Sequence, residues 1–145
     1  MWVGGCAVTW LLVEDDNDIR TVVSLMITVW GEQPLVFADG NAAWTWLDSV
    51  ENGSYKGDLP ELALMDIRMP GPWGDKIAAR IRQTERVKDI PIILMTAFSL
   101  TATEISDLME RSGMDQLVNK PLPDLDVFRS LIYEVRSKKL AASGT

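Results

Sequence analysis

The feature that most constrains the fold is the alternation of short apolar runs with longer segments of helical periodicity. Three runs, at residues 7–13, 62–65 and 92–95, are almost continuously apolar, as in central strands that are covered on both faces. Weaker runs at 34–38 and 116–118 complete a set of five, and the proline that begins the first of these suits an edge strand. This alternation predicts an α/β domain with a parallel sheet.

The segments between the runs predict five helices. In the first, apolar residues follow one another at spacings of three, one, three, one and three, which predicts a single inward face: Ile19, Val22, Val23, Met26, Ile27 and Trp30. Asp16 or Asn17 would cap this helix and Gly31 would end it. Further helices are predicted at residues 41–50, 74–84, 102–112 and 125–138, with a polar loop at 53–60 and a frayed tail at 141–145.

Five β-α units in 145 residues predict one doubly wound domain spanning residues 1–145, with its core at about 7–138. The composition, 47% hydrophobic and 24% charged, is typical of a soluble globular protein. No apolar run approaches the roughly 20 residues that span a bilayer, and residues 1–10 lack a basic region, so we expect a cytoplasmic protein. The net charge of −7, without a stripe of Lys or Arg, argues against direct binding to nucleic acid.

The chain contains no histidine, which excludes the usual zinc ligands and the nucleophile pairs of Ser or Cys with His. For the same reason the chain is not itself a phosphohistidine carrier. The single cysteine, Cys6, excludes an internal disulfide, and we expect it to be a small buried strand residue. Any chemistry must therefore run on carboxylates, hydroxyls, lysine and the backbone.

Acidic residues follow two of the predicted strands. Glu14, Asp15 and Asp16 follow the first strand, and Asp66 follows the third. In a doubly wound sheet the ligand site lies beyond the carboxyl ends of the strands, so these acids should crowd together. Two like charges about 4 Å apart repel by about 4 kcal/mol at an effective dielectric near 20, which calls for a cation. Oxygen ligands alone favour Mg²⁺ or Mn²⁺.

Thr96 and Lys120 follow the fourth and fifth strands and would face these acids. Phosphoryl transfer needs an oxygen nucleophile, a metal ion and donors that neutralise the phosphoryl oxygens. Asp66 would be the nucleophile, Thr96 and Lys120 the donors, and Glu14 and Asp15 would hold the ion. The strand ends therefore predict a site for phosphoryl transfer.

Four motifs occur at these strand ends: LLVEDD at residues 11–16, LMDIRMPG at 64–71, MTA at 95–97 and NKP at 119–121. In this order and spacing they resemble the receiver domains of response regulators in bacterial two-component signalling, over about residues 7–138. The resemblance implies a flavodoxin-like fold with five parallel strands in the order 2-1-3-4-5, flanked by five helices. It also implies Mg²⁺ (or Mn²⁺) as cofactor.

The resemblance also implies a role for each matching residue. Asp66 would be the phosphoacceptor and, with Asp15, would ligate the metal directly. Glu14 would help through water, and Arg68 would contribute its backbone carbonyl.

Thr96 and Lys120 would contact the phosphoryl oxygens, and the bond from Lys120 to Pro121 would be cis. The donor would be a sensor histidine kinase or a histidine phosphotransfer protein. The signal would pass to a downstream protein partner, and homodimerisation stays open.

The sequence departs from the family pattern at three positions. Receiver domains usually carry Tyr or Phe three residues before the lysine, where this chain has Leu117. The usual aromatic change at the face of the fourth helix, fifth strand and fifth helix should therefore be reduced. Arg68 and Phe98 are large residues beside the acceptor, where Phe98 would shield the phosphoryl group from water, and we expect slow loss of phosphate.

Three other interpretations compete with a phosphoacceptor. Lys120 and Asp66 would form only a structural salt bridge, or the chain would be a scaffold that is never phosphorylated. A phosphohydrolase with an aspartyl nucleophile would need a second acid where Arg68 stands.

Among the tryptophans, Trp10, Trp30 and Trp44 are expected to pack against the core, and Trp2, Trp46 and Trp73 are candidates for exposure and partner contacts.

Overall fold

The computed structural model describes residues 7–143, which form five parallel strands in the order β2-β1-β3-β4-β5, alternating with five helices. The strands are β1 Thr9–Val13, β2 Gln33–Phe37, β3 Pro60–Asp66, β4 Ile92–Thr96 and β5 Gln116–Asn119. The helices are α1 Asn17–Val29, α2 Gly40–Glu51, α3 Gly74–Gln83, α4 Ala102–Ser112 and α5 Leu125–Ser143. The predicted flavodoxin-like α/β fold and strand order are confirmed. Cys6 and Trp2 lie outside the described residues.

The strand register brings the carboxyl ends of four strands to one rim of the sheet. The pairs at that rim are Val13 with Met65, Asp66 with Met95 and Thr96 with Asn119. Because β1 lies between β2 and β3, the strand order reverses at β1 and β3. This reversal is the point at which doubly wound sheets bind ligands.

The core has two layers, one on each face of the sheet. Side chains of the central strands alternate between them: Leu11 and Met65 lie with α2, α3 and α4, and Leu12 and Leu64 lie with α1 and α5. Every residue of β1 and β4 is buried, as their continuous apolar character predicts. The rim residues therefore stand on strands that are fixed from both sides.

Helix α1 starts and ends close to the predicted signals. The Asp16 side chain accepts a hydrogen bond from the Ile19 backbone N–H at 3.0 Å, which settles the choice between Asp16 and Asn17. The prediction was wrong for Val22, which is 50% exposed, whereas Val23 and Ile27 are fully buried. The face that meets the sheet is narrower than the apolar stripe, and Val22 lies about 100° around the helix from Val23.

The expected exposure of Trp46 was also wrong. Trp46 is 5% exposed and lies 5.8 Å from Phe37 and 5.9 Å from Tyr55, measured between ring centroids. It shares the inward face of α2 with Ala43 and Val50, which lie three and four positions away, and the neighbouring Leu47 is buried as well. The predictions for the other described tryptophans are confirmed: Trp10, Trp30 and Trp44 pack against the core, and Trp73 is 45% exposed.

The carboxyl-terminal helix is longer than predicted. Helix α5 continues to Ser143, so the expected frayed tail was wrong for residues 141–143. Residues 138–142 are good helix formers, and Lys139 Nζ donates a hydrogen bond to Asp115 Oδ1 at 3.1 Å. No helix within residues 7–143 is long and apolar enough to cross a membrane.

Candidate functional site

Glu14, immediately after β1, is the most deeply buried acid at the rim, with none of its surface exposed. Lys120 Nζ donates to its Oε1 at 2.7 Å, and the Asp16 backbone N–H donates to its Oε2 at 3.2 Å. Arg20 Nη1 donates to its backbone carbonyl at 2.8 Å. Both carboxylate oxygens are thus paired, as a buried charge requires.

Asp66 is the last residue of β3 and is 8% exposed. Its Oδ2 lies 3.3 Å from Lys120 Nζ. Burial, and after it the charge of Glu14, raises the pKa of Asp66 to about 7, although Lys120 acts in the opposite direction. A carboxyl group with this pKa exchanges its proton near neutral pH, and a nearby cation would favour the ionised form.

Glu14, Asp15 and Asp66 each offer a carboxylate oxygen, and these three atoms lie within 4.8 Å of one another. Glu14 and Asp66 are buried whereas Asp15 is exposed, so the cluster opens to solvent on one side. Hard oxygen donors with room for water suit Mg²⁺, which keeps several waters in protein sites. The donor set at the rim therefore fits a magnesium ion, as the sequence predicted.

Lys120 connects two of these acids. Burial lowers the pKa of Lys120, but its hydrogen bond to Glu14 and the charges of Asp66 and Glu14 outweigh burial and raise the pKa overall. The lysine is therefore cationic at neutral pH. Its bond to Pro121 is cis, as predicted, and its backbone N–H donates to the Thr96 carbonyl at 2.7 Å.

Thr96 ends β4, next to the strand that carries Asp66, and is 3% exposed. Its Oγ1 accepts a hydrogen bond from the Phe98 backbone N–H at 3.1 Å. Because the hydroxyl acts as an acceptor in this bond, it retains its own proton for donation to another oxygen. Thr96 can thus serve as a hydrogen-bond donor at the rim.

The Arg68 side chain contacts two aromatic rings. Its Cζ is 4.4 Å from the ring centroid of Phe98 and 5.1 Å from that of Trp73. Sequence reasoning singled out Arg68 and Phe98 but missed the contact with Trp73. The sequence feature that could have indicated this contact is the Pro-Gly-Pro segment at residues 70–72, which favours a bend between Arg68 and Trp73. In the structure the chain bends there, and Gly71 has a φ of 80°. The role of the Arg68 carbonyl as a metal ligand stays a prediction.

Leu117 lies in β5, three residues before Lys120, and is partly buried. It packs against the core layer formed with α2, α3 and α4. It has neither a ring nor a hydroxyl group, so this position offers only an aliphatic contact.

Comparison with known proteins identifies the family. Residues 10–132 match the family described as the response regulator receiver domain. The chain belongs to this family. The receiver is 33% identical over 112 residues to the transcriptional regulatory protein AfsQ1 of Streptomyces coelicolor, a match that covers 77% of this chain and 44% of that protein. The receiver thus spans less than half the length of this curated relative.

Other relatives are closer to the receiver in length. A 14.6 kDa protein from the sodA1 3′ region of Leptolyngbya boryana is 27% identical, with 82% of this chain and 83% of that protein covered. Among solved structures, the receiver domain of the sensor histidine kinase PA1611 from Pseudomonas aeruginosa is 26% identical with a TM-score of 0.72, covering 91% of this chain and 99% of that one. That structure contains a magnesium ion coordinated in its active site cleft.

Proposed function

We propose that this receiver accepts a phosphoryl group on Asp66 in a magnesium-dependent reaction and relays the signal to a protein partner. The observation that carries the proposal is the arrangement at the rim. Three carboxylate oxygens lie within 4.8 Å of one another, and Lys120 Nζ lies 2.7 Å from Glu14 and 3.3 Å from Asp66. Crowded acids that share one lysine leave room for a cation and an anionic phosphoryl group.

In this reaction an Asp66 oxygen attacks phosphorus, and the bond from phosphorus to the donor breaks. Lys120 is placed to neutralise the developing charge, and the Thr96 hydroxyl to donate a hydrogen bond to a phosphoryl oxygen. Neither group gives up a proton.

Asp15 and Asp66 would hold Mg²⁺ directly, with Glu14 acting through water and Arg68 through its backbone carbonyl. The ion supplies positive charge beside the nucleophile and the phosphoryl oxygens.

The donor histidine lies outside this sequence, which contains none. Receiver domains take phosphate from histidine kinases, and we propose a sensor histidine kinase or a histidine phosphotransfer protein as the donor here. The net charge of −7 supports an output through protein rather than nucleic acid.

The test is intact-mass analysis after incubation with acetyl phosphate and Mg²⁺. We expect one added phosphoryl group, which is lost in Asp66→Asn and in wild type treated with EDTA. Asp39→Asn is the matched control, because Asp39 caps α2 and is not one of the three clustered carboxylates. A wild type that takes up no phosphate would support the scaffold or the structural salt bridge, and modification that persists in Asp66→Asn would place the acceptor elsewhere.

Repeated turnover of acetyl phosphate would distinguish a phosphohydrolase from a phosphoacceptor. A phosphohydrolase of this kind needs a second acid two residues after the nucleophile, where this chain has Arg68. We therefore expect a burst of acetyl phosphate consumption close to one equivalent per protein, followed by slow consumption at the rate at which the phosphoryl group is lost.

A further inference from the structure

The rim has an excess of negative charge once an anionic phosphoryl donor arrives. When Asp66 is ionised for attack, Glu14, Asp15 and Asp66 together have three negative charges against the single positive charge of Lys120. A divalent ion would neutralise this cluster but leave nothing for the donor, which is itself an anion. Lys120 must serve Glu14 and Asp66 as well as the phosphoryl group. A second cation near the rim would therefore assist binding of the donor.

Arg68 is such a cation. Within residues 7–143 it forms no salt bridge with any carboxylate. Its contacts are instead with the Phe98 and Trp73 rings, both within the range of a cation–π interaction. When a guanidinium lies over ring faces, the N–H groups at its edge remain free to donate hydrogen bonds to an anion. Two of these N–H groups can bind two oxygens of one phosphate at the same time.

Arg68 shares a cavity with a rim residue. A cavity of about 350 Å³ is lined by Arg68, Trp73 and Phe98 together with Thr96, the hydroxyl donor of the rim. Two acids of α4, Glu104 and Asp107, also line the cavity, but neither pairs with Arg68. Glu104 is engaged in the α4 capping box.

The backbone that carries Trp73 is held against Asp66. Gly74, the first residue of α3, packs so closely that a Cβ there would lie 2.2 Å from the Asp66 carbonyl oxygen. The Gly74 N–H also donates to the Ile67 carbonyl at 2.8 Å. The backbone that carries Trp73 therefore keeps a fixed position relative to the acceptor. An arginine that lies against the Trp73 ring loses less side-chain freedom when it binds an anion.

We propose that Trp73 is a positioning residue of the acceptor site. With Phe98 it holds the Arg68 guanidinium beside the acceptor, where Arg68 binds the anionic phosphoryl group of the incoming donor. Arg68 gives up no proton: the phosphorus–oxygen bond to Asp66 forms, the bond to the donor breaks, and the donor departs with its bonding electrons. This inference rests on the proposed function.

The test compares apparent second-order rate constants for phosphorylation by acetyl phosphate with Mg²⁺ in the intact chain. Arg68→Ala and Trp73→Ala should each lower the rate constant about tenfold, as expected for loss of a charged hydrogen bond. Trp73→Phe keeps an aromatic face and should stay close to wild type. The matched control is Trp44→Ala, which removes the other Arg–Trp contact, 4.6 Å from Arg80, and should leave the rate constant unchanged.

The salt dependence of the rate constant distinguishes a positioning role of Trp73 from a purely structural one. The wild-type rate constant should fall as KCl is added, and this dependence should be weaker in both Arg68→Ala and Trp73→Ala. In wild type, beryllofluoride with Mg²⁺ should shift the Arg68 Nε–H and Trp73 indole N–H resonances.

Unchanged rate constants in both variants, an unaltered salt dependence in Trp73→Ala, or an equal loss in Trp44→Ala would each overturn the inference while the proposed function stands. A wild type that is not phosphorylated on Asp66 would overturn both.

Discussion

Lys120 lies closer to Glu14 than to Asp66: its Nζ is 2.7 Å from Glu14 Oε1 and 3.3 Å from Asp66 Oδ2. Its shorter contact is with the acid that has no exposed surface, and its longer contact is with the proposed nucleophile. One cation thus stabilises the buried charge of the folded protein and also faces the acid that would react. Stability and phosphorylation should therefore both depend on Lys120.

Replacement of Lys120 should be strongly destabilising. Lys120→Met leaves Glu14 buried without its cation, and breaking a buried ion pair in this way costs about 3 kcal/mol. Urea unfolding in EDTA would measure the loss. Adding Glu14→Gln to this variant should recover part of the stability, since it removes the unpaired charge. A Lys120→Met protein as stable as wild type without metal would contradict the prediction.

Stability of the metal-free protein should fall as the pH rises towards neutrality. Asp66 has a pKa near 7 in the folded protein, raised from its ordinary value of 3.8, so the folded state binds this proton more tightly than the unfolded chain does. Between these two pH values, each increase in pH lowers the free energy of unfolding. Urea unfolding in EDTA at about pH 5 and about pH 8 should show the decrease.

Asp66→Asn is the control for this effect. Asparagine carries no titratable proton, so the variant should lose less stability over the same interval and exceed wild type at the higher pH by about 1–2 kcal/mol. If both proteins lost the same stability, the titration would belong to another group.

Phe98 should slow the loss of phosphate. Its side chain is 48% exposed, while its backbone N–H is bonded to Thr96, so the residue stands at the edge of the site. Phe98→Ala should open a path for water and speed dephosphorylation several-fold, measured after the donor is removed. Met109→Ala removes a similarly exposed apolar side chain, 44% exposed on α4, and should have no effect. An unchanged rate in Phe98→Ala would rule out shielding.

The surface formed by α4, β5 and α5 should change little on phosphorylation. Leu117 has no ring that turns inward when Thr96 moves, so amide shifts on adding beryllofluoride with Mg²⁺ should be large around Asp66 and small on this surface. Leu117→Tyr should enlarge the shifts along β5 and α5. Wild-type shifts on this surface as large as those around Asp66 would show that the aromatic ring is unnecessary.

The sequence by itself determined the fold and most of the rim. Strand and helix periodicity are local properties, and the residue that follows a strand in a parallel sheet must lie at its carboxyl edge. The positions of Glu14, Asp66 and Lys120 at one rim follow from that rule. A cap at Asp16 or Asn17 also follows from local residue preferences, and the structure selects Asp16.

Only the tertiary structure decided how deep each side chain lies and which partner it meets. Val22 is exposed although the sequence predicted burial, and Trp46 is buried although the sequence predicted exposure. Burial at both positions depends on how each helix is rotated against the sheet. The contact of Arg68 with Phe98 joins two loops that are distant in sequence. A contact between two loops depends on how β3 and β4 pack side by side rather than on spacing along the chain, so no local pattern encodes it.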